Sequence, residues 1–259
     1  MNIREYVKVD SLEQAYQLNQ KKSNRIIGGM LWMKMGDHRI QTAIDMSGLG
    51  LDTIEETEDT FVIGSMVTLR QIELHEGLNH LTEGMMRESV RSIVGVQFRN
   101  LATVGGSLFG RFGFSDVLTM FLAMDTSIEL YKGGIIPLEE FITMPADRDI
   151  LVRIIVKKTP MHCIYQSYRN SKTDFPVLTC AVVGDTKGVR IAVGARPSRA
   201  VLRTVSGERL TSVSVQELAE ELGEGISMGS NMRAGAEYRT HLAKVMIRRA
   251  LTQILEVDR

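Results

Sequence analysis

Apolar residues recur along the chain with two spacings, and the alternation between them divides it into short strands and helices. Ser11-Leu12-Glu13-Gln14 has capping-box spacing and opens a helix carrying Leu12, Ala15, Tyr16 and Leu18, which should end near Lys21-Lys22-Ser23-Asn24. Strand-like runs follow at Arg25 to Ile27, Ala43 to Met46, Phe61 to Gly64, Leu101 to Val104, Ser127 to Tyr131 and Ile150 to Val156. Between them, Leu31 to Met35 reads as helical, and Thr68 to Ile72 as a capped helical turn. Leu81, Met85, Met86, Val90, Ile93 and Val94 share one helical face, and Ser115-Asp116 caps an apolar helix from Val117 to Met124. Lys132-Gly133-Gly134 is a tight turn of hairpin type.

From His162 the texture changes. His162 to Arg169, Val177 to Val183 and Val189 to Ala195 read as three antiparallel strands, the last two joined at Gly184 to Gly188. Two helices follow, Val215 to Leu222 and Ala236 to Leu255; the second spaces Tyr238, Leu242, Val245, Met246, Ala250 and Ile254 along one stripe. The domain boundary falls near Thr159-Pro160. No internal repeat or low-complexity tract is present.

A chain of 259 residues exceeds one typical domain, which agrees with that boundary. Lys+Arg and Asp+Glu are equal at 31 each, so the charge balance favours neither nucleic acid nor an anionic membrane. The N-terminal residues lack a signal-peptide core, and no run approaches the roughly 18 apolar residues of a membrane span. The expected location is the cytoplasm. Cys163 and Cys180 lie inside apolar segments, which suits small buried hydrophobes and excludes a cysteine-held iron–sulfur or zinc site. The histidines, His38, His75, His80, His162 and His241, are scattered, and Gly-x-Ser-x-Gly is absent. No metal ligand and no catalytic nucleophile is therefore assigned.

Candidate chemistry concentrates at two glycine pairs, Gly28-Gly29 and Gly105-Gly106, each closing a strand-like run ahead of a helical stretch. Glycine reaches backbone angles that a Cβ forbids, so successive N–H groups can converge on an anion such as a diphosphate. Thr103 and Ser107 flank the second pair with hydroxyls able to donate to phosphate oxygens. Asp116 reads either as a first-turn helix carboxylate or as an acceptor for sugar or ribityl hydroxyls. Arg99 and Arg111 read either as phosphate partners or as solvated loop residues, and Trp32 either as core or as a platform for a flat ring.

Taken in order, these segments resemble the flavin-binding subunit of molybdenum hydroxylases, the group that includes xanthine dehydrogenase and carbon monoxide dehydrogenase. Ile27-Gly28-Gly29 fits the family's first loop, and Gln97-x-Arg99-Asn100-x-x-Thr103-x-Gly105-Gly106 with Ser115-Asp116 fits its second. Ile150-Leu151-Val152 resembles the strand leaving the flavin domain, and Glu237-Tyr238-Arg239 with Arg248-Arg249-Ala250 resembles the signature of the last helix. The resemblance implies an α+β fold: a two-lobed FAD-binding domain of the PCMH type at residues 1–159, with lobes of about 1–55 and 56–159, then a C-terminal domain at 160–259 built on a three-stranded antiparallel sheet with helices. It also implies FAD contacts at Ile27, Gly28, Gly29, Met30, Thr103, Gly105, Gly106, Ser107, Asp116 and Leu151, the last near the isoalloxazine. The implied partners are a molybdopterin-binding large subunit and a [2Fe–2S] small subunit, with NAD or another acceptor taking the electrons. The chain would then be the FAD-dependent oxidoreductase subunit of a xanthine dehydrogenase-like complex.

Two stretches depart from the family pattern. Met30 and Leu31 stand where a hydroxyl residue and Asp or Asn are usual, and Ser107 replaces an Asn ahead of the unusually aromatic Gly110 to Phe114. Each lost hydrogen bond weakens FAD binding by about 0.5–1.5 kcal/mol. These departures keep open a flavin-poor subunit that only assembles the complex, and a stand-alone flavin reductase or oxidase.

Overall fold

The computed structural model describes residues 1–257 and divides them into two compact units. One holds residues 1–71, 96–110 and 126–157; the other holds 72–95, 111–125 and the chain from 158 onward.

The first unit contains two sheets. Strands β1 (Asn2–Lys8), β2 (Arg25–Ile27) and β3 (Arg39–Asp45) form a parallel sheet in the order β1-β3-β2. Strands β4 (Ile54–Glu56), β5 (Thr60–Gly64), β6 (Thr126–Leu130), β7 (Gly134–Pro137) and β8 (Leu151–Lys157) form an antiparallel sheet in the order β4-β5-β8-β6-β7. The two sheets share a core. Val9, Ala15, Ile44 and Met46 from the first pack with Leu51, Ile150 and Val152. Ser11 accepts the Gln14 N–H at 3.2 Å and caps the helix Leu12–Asn19, as its spacing predicts.

The second unit is built on β9 (His162–Tyr168), β10 (Leu178–Asp185), β11 (Gly188–Gly194) and β12 (Val201–Ser206), antiparallel in the order β12-β11-β10-β9. The sheet thus has four strands where three were expected. The fourth is an edge strand in which only Val205 is buried, so Val201 to Ser206 lacks the alternation that marks the others. Leu178, Cys180, Val182, Ile191 and Val193 make a core with the helices Val215–Glu224 and Ala236–Val257.

Residues 72–95 and 111–125 belong to this unit, not to the one holding the rest of the first 159 residues. The single helix expected over Leu81 to Val94 is instead two, Glu76–Leu81 and Met85–Arg91, broken by left-handed backbone at Glu83 and Gly84. The Glu83 carboxylate accounts for the break: it accepts the Cys163 N–H at 3.0 Å and meets His162 Nδ1 at 2.9 Å, tying the interruption to β9. Among the described residues no helix is long and apolar enough to cross a membrane.

Candidate functional site

The first glycine pair lies where β2 leaves the parallel sheet. Ile27 is buried against Ile40 and Ala43, and anchors the strand end. Gly28 is exposed. Gly29 is held against the neighbouring backbone: a Cβ there would stand 2.0 Å from the Leu101 carbonyl oxygen, so no other residue fits without moving one chain. Met30 then adopts left-handed backbone, φ 57° and ψ 13°, as the N-cap of the helix Leu31–Met35. That conformation costs a non-glycine residue about 1–2 kcal/mol. Packing of the Met30 side chain against the Ile27, Ile40 and Ala43 cluster opposes the cost. Among the described residues, the N–H groups of Gly28, Gly29 and Met30 donate to no backbone carbonyl outside the regular elements. Gly28 is exposed and Gly29 and Met30 are half-buried, so three successive donors at this turn make a nest-like run open to an anion.

The second pair is not a loop. Thr103 N-caps the helix Val104–Phe109, so Gly105 and Gly106 occupy its first turn. The N–H groups there are engaged: Val104 to the Val67 carbonyl at 2.8 Å, Gly105 to the Ser65 carbonyl at 2.9 Å, Gly106 to Thr103 Oγ1 at 3.2 Å and Ser107 to the Thr103 carbonyl at 3.1 Å. Ser107 Oγ also donates to the Thr103 carbonyl at 2.9 Å, so its proton is turned back into the helix. Gly105 is needed for packing, since a Cβ would lie 2.5 Å from the Ser65 carbonyl oxygen. Gly106 is exposed, and a Cβ there would approach only Thr103 Oγ1, at 3.0 Å.

The two pairs meet on Thr103. A Cβ on Gly28 would stand 2.8 Å from Thr103 Oγ1, so the exposed residues Gly28 and Gly106 both adjoin one hydroxyl. Accepting the Gly106 N–H leaves that hydroxyl a proton to give. Leu151 is close to the same place. It begins β8, where the Val152 carbonyl accepts the Ser65 N–H at 3.0 Å and Ser65 in turn accepts from Gly105. Leu151 is itself buried, as are Thr103 and Gly105. Phe109 packs on Phe141, with ring centroids 5.9 Å apart. Ile27, Gly28, Gly29, Met30, Thr103, Gly105, Gly106, Ser107 and Leu151 all lie in the first unit.

Asp116 belongs to the other unit. Ser115 caps its helix, Asp116–Ala123, by accepting the Leu118 N–H at 3.0 Å. The Asp116 carboxylate is buried and already occupied: Oδ1 receives the Tyr165 hydroxyl at 2.5 Å and pairs with the Arg169 guanidinium. Burial pushes the carboxyl above its ordinary range, against the pull of Arg169 and Tyr165, and burial likewise raises the Tyr165 phenol well above its usual value. Arg99 and Arg111 are both buried, which removes the reading of either as a solvated loop residue. Trp32 is half-buried and meets Phe98 edge-on, with centroids 5.7 Å apart.

Donors free of backbone acceptors at Gly28, Gly29 and Met30, beside a Gly106 that carries no side chain, suit the diphosphate of a dinucleotide. Two family models match the chain. Residues 1–158 match the FAD binding domain in molybdopterin dehydrogenase, and residues 163–254 match the CO dehydrogenase flavoprotein C-terminal domain. The chain belongs to this flavoprotein family. The nicotine 6-hydroxylase medium subunit of Paenarthrobacter nicotinovorans is 25% identical over 274 residues, 96% of each chain. The uncharacterized protein YgfM of Escherichia coli K12 is 24% identical over 251 residues, 95% of this chain and 94% of its own. The solved structure of a reconstituted CO dehydrogenase from Oligotropha carboxidovorans has the same fold, with a TM-score of 0.84 at 20% identity over 98% of both chains. The FAD-binding domain of the family followed by its C-terminal domain is therefore the α+β architecture expected.

Two features of these residues' surroundings escape the sequence. The capping by Thr103 is masked because a glycine pair disfavours helix by about 1 kcal/mol per residue, so the segment reads as a bend. The partners of Asp116, Tyr165 and Arg169, lie about fifty residues downstream and carry no spacing signal. Only the alternation of β9, which turns Tyr165 inward with Cys163, hints at one of them.

Proposed function

We propose that this chain is the FAD-carrying, electron-transfer subunit of a molybdenum hydroxylase complex, passing electrons from the [2Fe–2S] clusters of a partner subunit to NAD or another acceptor. The observation that carries the reading is the nest at Gly28, Gly29 and Met30, whose exposed face adjoins Gly106 across the Thr103 hydroxyl. The three N–H groups would hold the diphosphate, Thr103 would add a hydroxyl donor, and the bare face of Gly106 would admit the phosphates without a clash. The chain's own residues fix and shield the group; flavin supplies the chemistry, since it takes electrons singly and gives them up as a pair. Leu151 and Ser107 stand in the reading as further contacts, and Asp116 as an acceptor for ribityl hydroxyls through whatever capacity Arg169 and Tyr165 leave it.

Both cysteines are buried, and among the described residues no group of His, Cys, Asp and Glu is arranged to hold a metal ion. The reading assigns the iron–sulfur and molybdopterin groups to other polypeptides, a small and a large subunit, and the complex to the cytoplasm with xanthine dehydrogenase-like chemistry. It keeps the FAD-binding domain at 1–159, with lobes of about 1–55 and 56–159, and the C-terminal domain at 160–259.

One observation favours a second reading, a flavin-poor subunit that only assembles the complex. The first-turn donors of Val104–Phe109 are all engaged, so one side of the cradle has no spare N–H. Titrating flavin-free protein with FAD while following Trp32 fluorescence separates the two, because the tryptophan lies three residues beyond Gly29. Saturable quenching, together with the visible absorption of oxidised flavin in protein purified from its host, supports the first reading. Absence of both leaves the second.

A further inference from the structure

One side chain of the first unit joins the segment that leads into the Gly28 to Met30 turn to the segment that leads into β8. Arg148 precedes β8 by three residues. Its guanidinium donates to the carbonyls of Asn19, Lys21 (2.8 Å) and Asn24 (3.0 Å) and to Asn19 Oδ1 (3.2 Å). Its own carbonyl accepts from Asn19 Nδ2 at 2.8 Å and Gln20 Nε2 at 3.2 Å. Side chain and main chain therefore both grip the turn between the helix Leu12–Asn19 and β2. The next residue, Asp149, takes the N–H groups of Lys132 (3.1 Å) and Gly133 (2.8 Å), which pins the same segment to the β6–β7 turn.

The grip matters because β2 is weak alone. It is a three-residue edge strand paired only with β3, and the nest follows directly from its end. Asn24, the residue before β2, is buried and offers its carbonyl to Arg148. We infer that Arg148 is a positioning residue for the cofactor cradle: it sets where β2 begins relative to β8, and so where the Gly28 to Met30 donors stand relative to Leu151. The inference rests on the FAD reading above for its consequence, but its structural half stands apart from it.

The test uses the full chain with Arg148→Gln, and with Arg153→Gln as control, since the Arg153 guanidinium, on β8 itself, pairs with half-exposed Glu129 at 3.2 Å. Two quantities are read: FAD affinity from Trp32 quenching, well below the melting temperature, and amide hydrogen exchange over Asn24 to Ile27 in the flavin-free protein. The expected result for Arg148→Gln is exchange faster by about tenfold or more in that segment and a dissociation constant raised by about tenfold or more, with neither moved in the control; tenfold corresponds to about 1.4 kcal/mol. A lowered melting temperature with unchanged affinity would make Arg148 merely structural and overturn the inference. Should the parent chain take up no FAD, the FAD reading fails, and the exchange measurement still decides: unchanged exchange over Asn24 to Ile27 sinks the grip itself.

Discussion

Arg239 offers the sharpest energetic test in the second unit. Its side chain is fully buried, 0% exposed, and it faces no carboxylate among its hydrogen-bond partners. Nε donates to the Val177 carbonyl at 2.9 Å, Nη1 to the carbonyls of Gly229 (2.8 Å) and Ala234 (2.5 Å), and Nη2 to Asn231 Oδ1 at 2.6 Å. One guanidinium thus joins the last helix to the entry of β10 and to the loop before that helix. Arg239→Met keeps the length and apolar stem but deletes every donor. Hydrogen bonds to a charged group contribute about 1.5–3 kcal/mol each, while releasing a buried charge to water returns several kcal/mol, so the net loss is about 2–4 kcal/mol. The surface pair of Arg209 and Glu221 sets the scale for comparison: Arg209→Met should cost about 0–1 kcal/mol. Urea unfolding followed by far-ultraviolet circular dichroism measures both. If Arg239→Met loses less than about 1 kcal/mol, or is more stable than the parent, the guanidinium is a tolerated burial and not the tie that its four bonds indicate.

The glycine pairs separate packing from binding: Gly105→Ala should cost about 1–3 kcal/mol of stability because its methyl meets the Ser65 carbonyl, whereas Gly106→Ala should leave unfolding nearly unchanged and weaken FAD, as thermal denaturation and Trp32 titration would report. Glu13 is held at about 2, below its ordinary 4.5, chiefly by the Tyr131 hydroxyl and then by Gln17 and Lys132. A carboxyl with a depressed folded-state value gives stability that is present above 4.5 and lost as pH falls toward 2, so acid titration of stability should be shallower in that window for Glu13→Gln. Burial raises the thiols of Cys163 and Cys180 to about 12, so neither should react with a disulfide reagent at pH 8 in the native protein, and both should react in denaturant; prompt native reaction would contradict their burial.

Much of the fold was legible because its elements carry strong local signals. Ser11 caps its helix through the spacing the sequence shows, and the β10–β11 hairpin turns at Asp185 to Gly188 as its polar, glycine-bearing run requires. The losses have a common cause. β1 turns only Ile3 and Val7 partly inward and owes its place to parallel pairing with β3, a contact more than thirty residues away. The break at Glu83 depends on His162 and Cys163, some eighty residues on. In each case a distant partner, invisible to a local window, overrides the local pattern. The site divides the same way: Gly28 and Gly106 were legible as bare backbone, while the contact with Ser65 that makes Gly105 necessary was not.

That division bears on how the two glycine pairs differ in role. If the pairs were equivalent cradles, both should present unused donors; instead the first keeps three N–H groups without backbone acceptors while the second has none left in its first helical turn. The second pair is better understood as the means by which the helix Val104–Phe109 packs closely on Ser65, bringing Thr103 to the edge of the first loop. On the proposed function, affinity for a diphosphate would rest mainly on Gly28, Gly29 and Met30, and Met30 would be the sensitive position, because its left-handed backbone is supported by side-chain packing on Ile27, Ile40 and Ala43. A residue such as Asn, which tolerates that backbone, would relieve the strain but lose the packing, so the apolar side chain here is a consistent alternative to the polar one usual in the family.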